Sequence, residues 1–352
     1  MNKHPARLWK ISGDKISCGV CARRCKIAEG MRGFCGVREN IGGTLFALSY
    51  GLLTAVNVDP IEKKPLYHFL PGTTTFSVSS FSCNFTCKHC QNFDLSQRLD
   101  VASEFAAPET VVREAEASGA KSISFTYNEP TISFEYVYDT AKLAKEHGIS
   151  STFITNGYMT EEALRELAPF LGAIRIDLKA FTDDFYKKVC GARLQPVLDT
   201  ILLSKELGLH IELVTLVIPG YNDSIEEIDA MLDWVVKNLG TAVPHHFTAF
   251  MPMYQMLDVP RTPFSTLDRI YRQAKEHGLL YPYVGNMMHE EGSGTVCPEC
   301  GELLIERSGY MTKIPGMKDG HCKKCGRKIE GVFAVEQVDP GDNAAVNKES
   351  RT

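Results

Sequence analysis

The sequence predicts an α/β protein in which β/α units form a full or partial barrel, flanked on each side by a cysteine-rich module. Between residue 73 and about residue 286, short β-branched or aromatic runs alternate with polar-faced helical stretches. That alternation is typical of a parallel sheet covered by helices. The 12 cysteines fall into three groups and one singleton, and a hydrophobic share of 44% over 352 residues supports a large core.

Seven runs of the alternating region are predicted as strands. They begin at Thr73, Lys121, Ser151, Ala173, His210, His246 and Leu280. Helices are predicted between them, one with Pro108 in its first turn and one that begins at Ser224 and ends near Gly240. Six or seven such units favour a barrel over an open doubly wound sheet, and leave open whether the barrel closes.

Composition divides the chain into four regions. Residues 1–72 form an N-terminal four-cysteine module with a lead-in, 73–291 the barrel, 292–337 a four-cysteine ribbon, and 338–352 a polar tail. The net charge of -5 disfavours a nucleic-acid partner, with a local basic patch left open. With no apolar run of ~18 residues and no secretion signal, the expectation is a cytoplasmic protein without a membrane partner.

Three cysteines directly follow the first predicted strand. Cys83, Cys87 and Cys90 are separated by three and then two residues. A closed zinc site takes four ligands, whereas a 4Fe-4S cluster held by three thiolates leaves one iron open to a chelating ligand. The amino and carboxylate groups of S-adenosylmethionine (SAM) are such a ligand. The spacing also permits a zinc site completed by His89.

The trio in this position resembles the signature of the radical SAM superfamily. Flanking segments resemble its pyruvate formate-lyase-activating-enzyme-like branch, and within that branch the proteins of the AmmeMemoRadiSam system. The similarity extends over almost the whole chain. The segments that carry it are VDPIEKKPLYHFLPG at 58–72, CQNFDLSQ at 90–97, TYNEP at 126–130, TNGY at 155–158 and IDLKAF at 176–181.

The resemblance implies that the trio holds a 4Fe-4S cluster and that a motif after the second strand binds the SAM amino group. Tyr127, Asn128 and Glu129 fill that position, with Glu129 as the carboxylate acceptor, although the usual Gly-Gly-Glu form is absent. Taken alone, an acidic residue before Pro130 is also typical of a helix cap.

Further SAM contacts are implied after the third and fourth strands. Thr155 and Asn156 resemble the stretch that contacts SAM, while Asp177 and Lys179 resemble an Asp-x-Lys element near the SAM ribose or the reacting centre. A turn at Asn156 and a structural ion pair between Asp177 and Lys179 are the alternatives. Other polar residues near strand ends are expected to complete a rim pocket, namely Thr215, Asn222, Asp223, His246, Met253 and Asn286.

The implied activity is reductive cleavage of SAM to methionine and a 5'-deoxyadenosyl radical, which abstracts hydrogen from an unidentified substrate. A low-potential donor of the ferredoxin or flavodoxin type would supply the electron. One alternative is a glycyl-radical-enzyme activase, although such activases do not generally carry both flanking modules. An alternative from another class is a non-catalytic zinc-binding interaction protein.

The ribbon cysteines form two knuckles separated by 21 residues, Cys297 with Cys300 and Cys322 with Cys325. This spacing predicts a structural zinc site, with an auxiliary iron-sulfur cluster as the alternative. Local basic residues make the ribbon a candidate docking surface for a protein substrate.

The N-terminal cysteines Cys18, Cys21, Cys25 and Cys35 are separated by two, three and nine residues. Four thiolates predict a closed site for zinc or for an auxiliary cluster, and sequence does not distinguish the two. The singleton Cys190 is predicted to be a passive small residue.

Overall fold

A computed structural model describes residues 3–334 and centres on one eight-stranded sheet. Its strands lie side by side in chain order. They are β1 (Ala55–Pro60), β2 (Thr74–Ser79), β3 (Ser122–Phe125), β4 (Ser150–Thr155), β5 (Ala173–Asp177), β6 (His210–Val217), β7 (His245–Ala249) and β8 (Pro282–Gly285). Strands β2 to β8 are parallel, and β1 pairs antiparallel with β2. The predicted β/α architecture is confirmed.

Six helices connect consecutive parallel strands and cover the outer face of the sheet. They are α1 (Pro108–Ala117), α2 (Phe134–Glu146), α3 (Glu161–Leu167), α4 (Gln195–Glu206), α5 (Ile225–Leu239) and α6 (Phe264–Glu276). The Ser224 hydroxyl accepts a hydrogen bond from the Glu227 N–H and caps α5 as its sequence predicts, and Gly240 ends the helix. Shorter helices are Phe93–Ser96, Asp183–Phe185 and Glu290–Ser293. No helix in residues 3–334 is long and apolar enough to cross a bilayer.

The sheet is a partial barrel, because β1 and β8 lie at its two ends and do not pair with each other in the described chain. All seven predicted strands form, with starts displaced by up to two residues. Strand β1 was not predicted, since it lies in the stretch assigned to the lead-in. It makes the sheet mixed at one edge.

A buried carboxylate fixes the segment between β1 and β2 across the floor of the barrel, which is the end opposite the carboxyl ends of the parallel strands. Glu212 in β6 accepts hydrogen bonds from the main-chain N–H groups of Tyr67 at 2.9 Å and His68 at 2.7 Å. Ring nitrogens of His210 and His246 approach it at 3.1 and 2.8 Å. Although burial alone would raise it, hydrogen bonds with the two histidines hold the pKa of Glu212 well below its usual range.

The C-terminal ribbon packs against this floor. Its strands are Thr295–Val296, Leu303–Ser308 and Met311–Lys313 in one sheet, and Met317–Lys318 with His321–Cys322 in another. The guanidinium of Arg307 stacks on the Tyr67 ring at 4.0 Å and donates to the Tyr67 carbonyl at 2.8 Å. The ribbon is therefore anchored to the segment that crosses the floor of the barrel.

The N-terminal residues form small antiparallel sheets beside α2. Their strands are His4–Pro5, Trp9–Ser12, Lys15–Cys18, Lys26–Ile27, Arg38–Ile41 and Thr44–Ala47, and Leu52–Leu53 pairs with Glu104–Phe105. A buried ion pair of 2.6 Å joins Arg38 to Glu135 of α2, and Glu135 also accepts the Arg7 main-chain N–H at 2.7 Å. These contacts hold the cysteine-rich segment against the barrel.

The Glu212 interactions predict a stability effect. We expect Glu212→Gln to lower the free energy of unfolding by about 2–4 kcal/mol, because one amide oxygen cannot serve four buried donors. Denaturant unfolding under anaerobic conditions would measure this. The exposed control Glu114→Gln should change it by no more than about 0.5 kcal/mol.

The sign of the pH dependence follows from the lowered pKa of Glu212. The carboxylate contributes its full stability above the unfolded-state pKa of about 4.3 and loses it as the pH falls further. The difference between wild type and Glu212→Gln should stay constant between about pH 6 and 8 and shrink below about pH 4. A difference that grows on acidification would contradict the role given to Glu212.

Candidate active site

The three cysteines of the trio lie in the loop that follows β2. The Asn128 side chain shapes the start of this loop, since its amide nitrogen donates to the carbonyls of Phe81 and Ser82 at 3.2 and 3.1 Å. At the other end of the loop, the Asn92 amide donates to the Tyr127 carbonyl at 2.8 Å. The loops after β2 and β3 are thus fastened to each other by side-chain amides.

A cavity of about 320 Å³ opens at the carboxyl ends of the parallel strands. All ten residues that the sequence places at the cluster and SAM sites line it. They are Cys83, Cys87, Cys90, Tyr127, Asn128, Glu129, Thr155, Asn156, Asp177 and Lys179. The carboxyl ends of β2 to β5 meet at one rim, which brings together residues nearly one hundred positions apart in sequence.

Glu129 is buried and connects β3 to β4. Its Oε1 accepts hydrogen bonds from the Thr131 N–H and hydroxyl and from the Thr155 hydroxyl, at 3.0, 2.5 and 2.7 Å. Among residues 3–334, its Oε2 accepts only the Asn156 N–H, at 2.7 Å, which leaves acceptor capacity on this oxygen. Burial raises the pKa of Glu129, and the hydrogen bonds from Asn156 and Thr131 oppose that effect.

Asn156 connects β4 to the cluster loop. Its amide nitrogen donates to the Asn84 side-chain oxygen at 2.8 Å and lies 3.8 Å from the Cys83 sulfur. The Asn156 oxygen accepts the Tyr158 N–H at 3.0 Å, so this residue also makes the turn considered from sequence. Burial and the Glu129 carboxylate raise the pKa of Cys83.

Asp177 at the end of β5 lies between two cations. The Lys179 ammonium lies 2.8 Å from Asp177 Oδ2, and the Arg175 guanidinium contacts Oδ1. The ion pair considered from sequence is therefore present, and the same side chains line the cavity. Arg175 was missed by sequence reasoning, although its alternation with Asp177 along one strand was a usable signal.

Other lining residues were also missed. Lys63 and Lys64 come from the segment after β1, and Tyr310 comes from the tip of a ribbon hairpin. Both lysines bind Asp59, at 2.8 and 2.7 Å. Because Tyr310 lies more than two hundred residues from the trio, no local pattern indicated this contact.

The expected rim pocket is only partly formed by the proposed set. Asn286 lines the cavity, while the other rim candidates Thr215, Asn222, Asp223, His246 and Met253 are not among its lining residues. His246 lies near the beginning of β7 rather than at its carboxyl end, and bonds Glu212 at the floor. Asn222 instead accepts the Ile218 N–H at 2.7 Å within its own turn.

His89 does not complete a four-ligand site with the trio. Its ring nitrogen lies within 4.8 Å of the Cys87 and Cys190 sulfurs, whereas Cys83 and Cys90 belong to no such group among the described residues. Burial and the charge of Lys179 lower the pKa of His89 to about 3. Cys190 is buried, and a hydrogen bond with its thiol lowers the pKa of Cys87.

The four ribbon cysteines converge on one point. Cys297 and Cys325 sulfurs lie 3.5 Å apart and those of Cys300 and Cys322 lie 3.7 Å apart. Thiolates at 2.3 Å around a tetrahedral ion would be roughly 3.8 Å apart. The ribbon geometry therefore fits a single metal ion.

The N-terminal cysteines Cys18, Cys21, Cys25 and Cys35 line a second cavity. Burial, with the neighbouring Cys35 thiol, raises the pKa of Cys21 to about 12. Burial also raises the pKa of Cys35 to about 11. None of the four cysteines is in a disulfide.

The fold and site together define a barrel enzyme with a metal centre at the carboxyl ends of its strands. Three soft thiolates on one loop fit an iron-sulfur centre, and the adjoining cavity offers acceptors and donors for an amino acid ligand. The profile of the radical SAM superfamily matches residues 77–235. A protein of unassigned function from Methanocaldococcus jannaschii is 44% identical over 328 residues, covering 92% of this chain and 98% of that protein.

The chain belongs to the radical SAM superfamily, whose members are enzymes that use a 4Fe-4S cluster and SAM. Pyruvate formate-lyase-activating enzyme of Clostridium pasteurianum is 24% identical over 200 residues, covering 54% of this chain and 82% of that enzyme. The crystal structure of a radical SAM methyltransferase from Sphaerobacter thermophilus shares the fold, with a TM-score of 0.51 at 18% identity, covering 67% of this chain and 71% of that one. Membership in this superfamily of enzymes argues against the alternative of a non-catalytic zinc-binding interaction protein.

Proposed function

We propose that this enzyme cleaves SAM reductively and uses the resulting radical to abstract hydrogen from a substrate. The observation that carries the proposal is the meeting of Cys83, Cys87 and Cys90 with Glu129 and Asn156 at one cavity. When bound, the cluster supplies one electron to the S–C5' bond of SAM, giving methionine and a 5'-deoxyadenosyl radical. The three cysteines would hold the cluster.

The protein's own task is to orient SAM. Within the described part of the chain, Glu129 Oε2 has only the Asn156 N–H as a donor, so it can accept a charge-assisted hydrogen bond from the SAM ammonium. Thr155 and Thr131 fix the other carboxylate oxygen and thereby fix the direction of this acceptor.

Asp177 and Lys179 are proposed to contact the ribose or the reacting centre. Asp177 is held between Lys179 and Arg175, which restricts its rotamers and leaves its carboxylate facing the cavity. A carboxylate acceptor suits the ribose hydroxyls. Tyr127 and Asn128 are proposed to support the SAM site by holding the loop. The Tyr127 carbonyl accepts a hydrogen bond from the Asn92 amide, and the Asn128 amide donates to the start of the cluster loop.

Zinc is proposed for the ribbon, whose four sulfurs already stand at tetrahedral spacing. The electron is proposed to come from a low-potential protein of the ferredoxin or flavodoxin type. A protein substrate that docks on the ribbon would lie beside the cavity, because Tyr310 of the ribbon lines it. The enzyme is proposed to act in the cytoplasm.

A glycyl-radical-enzyme activase is the second candidate. It is favoured by relatives named as activating enzymes, including one from Methanocaldococcus jannaschii that is 26% identical over 209 residues and whose name gives a putative role in activating a glycyl-radical enzyme. A deuterium label separates the candidates. Transfer of deuterium from a glycine of a partner protein into 5'-deoxyadenosine supports the activase, and transfer from another position supports a different substrate.

If the three cysteines of the trio hold the cluster, removal of any one of them should abolish SAM cleavage. We expect anaerobically reconstituted wild type, given dithionite and SAM, to release 5'-deoxyadenosine, and Cys87→Ala to release at least about a hundredfold less because the cluster loses a ligand. Chromatography of the products measures both. Exposed Cys325→Ala should retain cleavage, and a wild type that releases no 5'-deoxyadenosine would overturn the proposed function.

The proposed contact between Glu129 and the SAM ammonium predicts that substitution of Glu129 lowers the affinity for SAM. We expect Glu129→Gln to weaken SAM binding by roughly tenfold to a hundredfold, since a charge-assisted hydrogen bond contributes about 1.5–3 kcal/mol. Calorimetric titration of the reconstituted protein measures the dissociation constant. Glu114→Gln serves as the matched control, and an unchanged affinity in Glu129→Gln would assign Glu129 to structure alone.

The ribbon predicts one zinc ion per chain. We expect the double substitution Cys297→Ser and Cys300→Ser to remove about one zinc per chain, because two of four ligands are lost. Elemental analysis of the purified chain measures it. Cys190→Ala should keep the zinc, whereas unchanged zinc in the double variant would place the ion elsewhere.

A further inference from the structure

We propose that Cys18, Cys21, Cys25 and Cys35 hold a second 4Fe-4S cluster rather than a zinc ion. The proposal concerns a site separate from the SAM cavity and does not depend on SAM cleavage. It rests on the spacing of the four thiols, on buried donor atoms of Arg38 that have no hydrogen-bond partner among the described residues, and on the walls of the cavity.

The four thiols face a common space although they come from different turns. All four line one cavity, which is closed by apolar side chains including Val20, Ile27, Phe34 and Ile132. Arg23 stacks its guanidinium 3.6 Å over the Phe34 ring and shields one side. A shared, largely apolar space lined by four thiols fits a buried metal centre.

The separation of the sulfurs distinguishes a single ion from a cluster. The ribbon cysteines have their sulfurs all within 4.8 Å of one another, as one tetrahedral ion requires. Within residues 3–334, the groups that meet this limit include no N-terminal cysteine. The N-terminal thiols therefore stand farther apart than the ribbon thiols of the same chain.

The active-site trio provides the comparison for a cluster. Cys83, Cys87 and Cys90 also fail to come within 4.8 Å of one another as a set of three, and this is the loop expected to carry a 4Fe-4S cluster. In a cubane each thiolate binds a different iron, so the sulfurs surround the cube instead of one ion. The N-terminal cysteines share this wider arrangement.

Arg38 supplies an independent indication of an anionic occupant. Its side chain is 2% exposed and lines the N-terminal cavity, and its Nη2 donates to Glu135 at 2.6 Å. Its Nε and Nη1 have no hydrogen-bond partner among the described residues. Buried donors are rarely left unsatisfied, and the sulfides and thiolates of a cluster are acceptors for such groups.

The N-terminal cavity lies next to the loop that carries the active-site trio. Asn84, the neighbour of Cys83 in the cluster loop, lines the N-terminal cavity, and Arg23 donates to the Asn84 carbonyl at 2.8 Å. Asn84, whose side-chain oxygen lies 3.8 Å from the Cys83 sulfur, would therefore lie between the two metal centres. With four thiolates, every iron of the second cluster is saturated, so this site binds no SAM.

The decisive variant keeps the N-terminal module intact and removes the trio. In the full chain carrying Cys83→Ala, Cys87→Ala and Cys90→Ala, reconstituted anaerobically with iron, sulfide and zinc, we expect about four iron and four sulfide per chain. Wild type should contain about eight of each, with about one zinc. Iron, sulfide and zinc analysis is combined with electron paramagnetic resonance of the reduced proteins.

Two further variants serve as controls. Cys297→Ser with Cys300→Ser should lose zinc and keep all the iron. Arg38→Met, introduced into the trio variant, should leave its iron content unchanged. It should alter the spectrum or the reduction potential of the remaining cluster, because the hydrogen-bond donors of Arg38 are lost. A merely structural Arg38 would leave both unchanged.

Two results would contradict the proposed second cluster. A trio variant without iron and with about two zinc ions per chain would overturn the second cluster. So would a wild type with about four iron and about two zinc ions, which decides the question even where the trio variant does not fold. Failure of the proposed function gives a different pattern, in which iron remains in the trio variant but wild type releases no 5'-deoxyadenosine from SAM.

Discussion

The floor of this enzyme depends on one buried carboxylate. A sheet whose end strands do not pair would leave its interior open, and here the segment after β1 fills it because Glu212 collects two main-chain donors and two histidine rings. A carboxylate buried in this way is stable only when its acceptor capacity is used. The same segment carries Lys63 and Lys64 to the cavity, so the floor and the reactive site are built from one piece of chain.

At the carboxyl ends of the strands, a second carboxylate performs a related task. Glu129 joins β3 to β4, and Asn156 extends the connection to Asn84 in the cluster loop. The loop that carries the thiolates is thus fastened to the strands that carry the polar cavity residues. Such mutual support is what keeps a functional constellation within the narrow tolerances that chemistry requires.

Sequence predicted the parts of the molecule that follow from periodicity and from the geometry of parallel sheets. The strand starts, the Ser224 cap and the gathering of Cys83, Glu129, Asn156 and Asp177 at one rim all follow from residues that alternate or end strands. Strand β1 was not predicted, because an antiparallel edge strand does not belong to the alternating β/α pattern by which the other strands were recognised. His246 was wrongly grouped with the rim residues, because it stands at the beginning of its predicted strand as it does in β7, and the rim is formed by the carboxyl ends of the strands.

Other features depend on contacts between distant segments, which no local pattern encodes. The approach of Tyr310 to the cavity is one of them, since the ribbon hairpin lies more than two hundred residues from the trio. The spacing of the N-terminal sulfurs likewise depends on how three turns pack, and not on the number of residues between the cysteines. Metal identity was therefore open in the sequence, although the ligand set was clear.

Tyr310 extends from the ribbon into the cavity, so an ion that folds the ribbon would also shape the site at which the radical would form. Iron and sulfur would determine whether the enzyme can generate a radical, while the ion that folds the ribbon would determine the shape of the entrance through which a substrate reaches it. A cell short of the ribbon metal would then hold an enzyme whose reactivity is intact but whose selectivity is relaxed. Metal supply would regulate which molecules are exposed to the radical as well as how often one forms.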